Sequence, residues 1–389
     1  MYKSSFYCTF YLYKKREIGD YFHRKEGENV VYLLLVALCN EKIMRRKKSF
    51  VSFIILGIMV FMTVFKTVSY ASIEAWRNDV NSLPSQIRIG YMPSPNGELL
   101  AKANGAVEKK FPNTKVFWKK FNTGRDLITA IAAGLIDIGT IGTPPAALGI
   151  ANNLPYKVYY LHDIIGESEA LVVKKDSGIN SINDLKGKKI ATTFNSTSDF
   201  SLINALKLNK INQDDVKLID MEMPDIIKAW EKNEIDGAYV WEPTKSKLVA
   251  EGGKVIITSA DLVKQGVITG EVGIVQNDFA SKYPSVLKDY ISVLNDSVHQ
   301  YKEKQQQSAE ALSKELGSSK DETLKVMNEI TVLDAKDQTD SKYLGTKNNP
   351  GGLGKILKDT GDYLLSHNAI ESSPDLSIYQ QAILNNLYD

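Results

Sequence analysis

Cysteine is nearly missing from this 389-residue chain, and the two present, Cys8 and Cys39, both precede Met44. Past that methionine there is no thiol for a disulfide, a thiolate metal site or a cysteine nucleophile. Histidine is also scarce. Beyond residue 71 only His162, His299 and His367 occur, far apart and without metal-ligand spacing. Gly-x-Ser-x-Gly, the phosphate-loop lysine motif, His-Glu-x-x-His and a Gly-x-Gly-x-x-Gly after the first strand pattern are all missing. Hydrolase, nucleotide-triphosphatase and dinucleotide chemistry therefore have little to work with, and no cofactor or metal is expected. Only one apolar run, Phe50–Phe65, approaches membrane-spanning length, which excludes a polytopic transporter.

What is present is ordinary globular material, 43% hydrophobic and 24% charged, with length enough for two domains. The formal charge of +2 is unevenly placed. Residues 1–71 carry 12 Lys and Arg against 5 Asp and Glu, which leaves 36 against 41 for the remaining 318. A mildly acidic body offers nothing to a nucleic acid. The basic excess reads as a targeting segment. Met44 is followed by Arg45, Arg46, Lys47 and Lys48, then the apolar run, then Ser69-Tyr70-Ala71 with small residues at −3 and −1. That order predicts an export signal over 44–71, cut after Ala71, with an uncut N-terminal anchor as the alternative and residues 1–43 an upstream mis-start. The body is thus expected in a periplasmic or other extracytoplasmic space.

Within the body, Gln86–Tyr91 alternates like a strand and runs into the turn residues Pro93 to Gly97. Helix, strand, helix and strand follow to Ile141, and a second series of the same kind occupies Lys188 to Trp241. This α/β order predicts two lobes linked by two crossings, near Val173–Lys175 and Gly270–Ile274. Lobe one is then discontinuous, residues 85–173 plus 273–389, with lobe two at 174–272. Such lobes can close around a small ligand.

Three stretches could line that cleft. Thr143 is expected to cap a helix with Pro144 at its first position, placing a helix N-terminus at a strand end as an anion seat. Ser196, Thr197 and Ser198 stand at the corresponding turn of the other series and offer hydroxyl and backbone donors. Trp241 ends a strand stopped by Pro243 and could lay its ring against a ligand's carbon chain or cation. Glu169 and Glu271 lie near the proposed crossings, where a carboxylate would pair with a ligand ammonium.

These residues, with Gly166–Lys175 (GESEALVVKK), Ile226–Trp230 (IIKAW) and Ile235–Trp241 (IDGAYVW), carry a resemblance. Trp118–Gly124 and Phe194–Thr197 add to it. From about residue 86 onward the chain resembles the periplasmic solute-binding proteins of taurine ABC transporters. The resemblance implies a type II periplasmic-binding-protein fold, with taurine (2-aminoethanesulfonate) held between the lobes by a monomer. It also implies delivery to a membrane permease and its ATPase. Thr143 and the serine–threonine turn would take the sulfonate, Glu271 or else Glu169 the ammonium, and Tyr91 and Trp241 would wall the linker. Two departures stand out: Glu271 replaces a usual Asp, and Gly273 a bulkier residue. The alternatives are a general alkanesulfonate binder, an extracytoplasmic enzyme on the same scaffold, or a regulator's sensing half. The last would need a DNA-binding helix-turn-helix where the export signal stands.

Overall fold

Alternation of small and β-branched residues sets the strands, and the computed structural model describes them within residues 83–388. The upstream segment and export signal expected over 1–71 lie outside the described residues. In chain order the strands of the two main sheets begin with β1 (Gln86–Tyr91), β2 (Lys115–Lys120), β3 (Ile138–Gly142) and β4 (Tyr156–Ile165). Then come β5 (Glu169–Val173), β6 (Lys189–Thr192), β7 (Lys217–Asp220), β8 (Gly237–Trp241) and β9 (Lys254–Thr258). β10 (Gly270–Gln276) and β11 (Ile330–Val332) complete them. One sheet has the order β11-β4-β10-β3-β1-β2, the other β7-β6-β8-β5-β9.

The first crossing between the sheets is therefore Gly166–Ser168, not Val173–Lys175. β5 pairs with β8 from Glu169↔Trp241 to Val173↔Gly237, so the whole strand belongs to the second sheet. The return falls before Gly270, because all of β10 pairs with β3 and β4. The apolar stretch Ala170–Val173 continues the hydrophobic character of β4, which hides the boundary from a reading of the sequence.

Both faces of each sheet are covered, as sheets with parallel strands require. Leu127, Ile131 and Val272 pack on one side of the first sheet, Ile87, Ile89 and Tyr159 on the other. Leu171 and Val173 face one core of the second sheet, and Val172 between them faces the other with Trp230 and Val240. Each such Leu, Ile or Val contributes about 1.5–3 kcal/mol by leaving water. The helical stretch after β1 is broken into Gly97–Ala103 and Ala106–Lys110 by Gly105, whose φ of 60° is the left-handed region glycine tolerates.

Candidate functional site

The pairing brings one edge of each sheet together. β1, β3, β6 and β8 end there, and the antiparallel β5 and β10 begin there, as the pairs Glu169↔Trp241 and Glu271↔Gly142 show. Ligands of α/β proteins bind at such strand ends. A cavity of ≈ 290 Å³ opens between the two edges. Of the residues singled out in the sequence, Glu169, Ser196, Thr197, Trp241 and Glu271 line it. Tyr91, Thr143, Pro144 and Ser198 are not among its lining residues. The Tyr91 ring turns away and packs edge-on against Trp118, 6.0 Å between centroids, so Met92 and Pro93 hold the wall instead.

The two expected anion seats are built differently from the prediction. The cap of helix Thr143–Ala151 is Gly142, in extended conformation, and Thr143 is its first residue. Pro144 and Pro145 then carry no N–H, so Thr143 alone among the first three helical residues supplies an amide. Its hydroxyl is buried without a hydrogen-bond partner. At the opposing helix, Thr197–Leu208, two of the three hydroxyls are already engaged, and Ser198 Oγ is buried without a hydrogen-bond partner. Ser196 Oγ accepts the Asp199 amide at 3.3 Å and donates to the Thr193 carbonyl at 2.5 Å. Thr197 Oγ1 donates to Glu169 at 2.5 Å, and Ser198 is fully buried. What remains are the backbone amides of Thr197 and Ser198, which have no acceptor within the helix.

A third helix start, missed in the sequence, faces the same cavity. Thr123 caps Gly124–Ala132 by accepting the Asp126 amide at 3.2 Å, which leaves the amides of Gly124 and Arg125. Asn122, Thr123, Gly124 and Arg125 all line the cavity. The signal was available, since Phe121-Asn122-Thr123-Gly124 repeats the pattern of strand, cap and helix read elsewhere.

Carboxylates gather at the floor. Glu169 is fully buried and accepts from Thr197, Ser259 (2.8 Å) and Ser201 (3.2 Å), while burial raises its pKa. Glu271, 7% exposed, accepts from Asn96 Nδ2 at 2.9 Å, and burial lifts its pKa to about 7. Asp163 was also missed. It stands opposite Glu271 across β4 and β10, is 1% exposed, and neither carboxyl oxygen meets a donor. Burial, and then the Glu271 charge, push its pKa well up. The buried cation nearby, Lys245, is already taken by Glu242 at 3.2 Å and Glu329 at 2.6 Å. Half-buried Trp241 joins Phe194, Met223, Pro224 and Ile227 in an apolar wall.

Gly273 has a packing reason. A Cβ there would lie 2.6 Å from the Tyr159 ring, so the neighbouring strand fills the space a larger residue would need. Several contacts bridge the two sheets around the cavity: Arg125–Asp220 at 3.2 Å, Lys245–Glu329, and Tyr363 hydroxyl to Asp199 at 2.7 Å. Among the described residues no helix is long and apolar enough to cross a membrane, and no group of three or more acidic, His or Cys side chains could hold a metal.

Two α/β sheets bridged in this way, with a cavity between their strand ends, define the periplasmic-binding-protein fold. The alkanesulfonate-binding protein SsuA from Xanthomonas axonopodis pv. citri, solved bound to MOPS, superposes with TM-score 0.65 at 20% identity. The match covers 78% of this chain and 99% of that one. The desulfurization enzyme DszB shares the fold at TM-score 0.56 and 15% identity, covering 78% of this chain and 98% of that one. The taurine-binding periplasmic protein of Escherichia coli (strain K12) is 37% identical over 215 residues. That stretch is 55% of this chain and 66% of the relative, just under two thirds of its length. The family model described as NMT1/THI5 like matches residues 115–308, about half of the chain. The chain belongs to this NMT1/THI5-like family.

Proposed function

We propose that the protein is an extracytoplasmic solute-binding protein that captures taurine and hands it to the permease and ATPase of an ABC importer. The observation that carries the reading is the polarity of the cavity. Backbone amides at the starts of Gly124–Ala132 and Thr197–Leu208 suit a sulfonate, which needs neutral donors. Glu271 and Asp163, without a cationic partner, suit an ammonium, and the apolar wall with Trp241 suits the two-carbon linker. The resemblance to the E. coli taurine-binding protein points the same way. No covalent step is assigned: the described residues hold no thiol and no histidine on the cavity. A desulfurization enzyme on the same fold makes turnover of bound ligand the sign that would revive an enzyme reading.

The second reading is a general alkanesulfonate binder, favoured by the fold shared with SsuA. Calorimetric competition between taurine and ethanesulfonate separates the two. A strong preference for taurine supports the amine-recognising site, and equal binding supports the general carrier.

A further inference from the structure

Glu271 and Asp163 are cross-strand neighbours, so their Cβ atoms lie roughly 4.5–5.5 Å apart on one face of the sheet. The register shifts by one residue just beyond them, where Val272 pairs with Leu161 and His162 is skipped. Two carboxylates this close, both buried and without a cation, cannot both be ionised. Asn96 Nδ2 lies near both carboxyls but makes its hydrogen bond to Glu271, at 2.9 Å, which marks Glu271 as the charged one. Asp163 has no donor at either oxygen, which an ionised group in that position would require.

We propose that Asp163 is a positioning residue that stays neutral and donates its carboxyl proton to Glu271, so that the ammonium seat carries a single negative charge. The inference rests on the proposed function and narrows its ligand class to sulfonates bearing one cationic nitrogen. The groups facing the pair are consistent with it. Ser94 and Asn96 reach Glu271 from the loop after β1, and Glu169 and Glu98 add negative charge at longer range. Tyr301, donating to the Met327 carbonyl at 2.9 Å, lies near Asp163. The His162 ring contacts Thr140 Oγ1 at 3.0 Å, and burial keeps it neutral by lowering its pKa to about 3. None of these neutralises the pair. An arriving ammonium stabilises ionised Glu271, so below the titration of that group binding must expel a proton.

The test is calorimetry of taurine and of ethanesulfonate at pH 6 and pH 8, in buffers of different ionisation enthalpy. The proteins compared are the wild type, Asp163→Asn and Asp163→Ala. Expected for the wild type is taurine binding about tenfold weaker at pH 6 than at pH 8, with nearly one proton released at pH 6. Asp163→Asn keeps a donor toward Glu271 and retains affinity within about threefold, with the same pH dependence. Asp163→Ala loses the donor, so the midpoint of the pH dependence moves upward. A tenfold or larger loss for taurine in Asp163→Asn, with ethanesulfonate unchanged, would make Asp163 a charged ligand of the ammonium and overturn the proposal. An Asp163→Ala protein matching wild type at both pH values would also overturn it. Equal binding of taurine and ethanesulfonate without proton release would sink this inference alone and leave the general carrier. No binding of either sulfonate would remove the carrier reading and this inference with it.

Discussion

Gly142→Ala should separate lobe closure from folding. Gly142 has φ −67° and ψ 159°, which alanine adopts without strain. The new Cβ, however, would lie 2.7 Å from Thr197 Cγ2, at the start of the helix on the opposite sheet. Ordinary contact needs about 1 Å more, so the substitution acts as a wedge between the two edges of the cavity. Overpacking of this size costs about 1–3 kcal/mol, which lowers affinity roughly five- to 150-fold if it falls on the closed state. Calorimetry with taurine measures the loss, and thermal unfolding without ligand checks that each lobe is intact. Adding Thr197→Ser removes the methyl group and keeps the hydroxyl that holds Glu169, so the double variant should recover most of the affinity. Wild-type affinity in Gly142→Ala, or a double variant as weak as the single one, would refute the reasoning.

Three further outcomes follow from particular contacts. Trp241→Ala removes the largest side chain on the cavity wall and is expected to weaken taurine binding at least tenfold, about 1.4 kcal/mol, by calorimetry. Unchanged affinity would take that ring out of the site. Lys245→Met leaves Glu242 and Glu329 buried without their cation and should cost about 3–5 kcal/mol in urea unfolding. A loss under 1 kcal/mol would mean the pair is solvated. Burial raises the Glu98 carboxyl from an ordinary 4.5 to about 7. The folded chain therefore holds that proton more tightly than the unfolded one, and the group's contribution falls as pH rises from about 4.5 to 7. Glu98→Gln should flatten that decline relative to wild type, and parallel stability profiles at pH 5 and pH 8 would contradict the assignment.

The architecture was legible because alternation and caps are local. Gln86–Tyr91, Lys115–Lys120 and the helix starts after them needed only their own residues. The crossing was not local. Whether Glu169–Val173 joins the first sheet or the second depends on Gly237–Trp241, some 70 residues later. The helix starts at Thr143 and Thr197 were legible as positions, but their free donors were not. Thr143 sits one residue inside the cap, and the hydroxyls of Ser196 and Thr197 are spent on Thr193 and Glu169. Glu271 and Glu169 were found as lone acids beside supposed crossings. Asp163 escaped because its partner is set by the pairing of Tyr156–Ile165 with Gly270–Gln276, more than 100 residues apart, although an acid between His162 and the apolar pair Ile164–Ile165 was itself a signal of a buried polar site.

The claim on which the rest depends is that the cavity recognises a sulfonate and an ammonium together. Isothermal calorimetry of the protein with taurine and then with ethanesulfonate, at pH 8, tests it most directly. The account predicts taurine binding at least tenfold tighter than ethanesulfonate, with the preference lost in Glu271→Gln. Equal affinities, or a preference that survives Glu271→Gln, would contradict it.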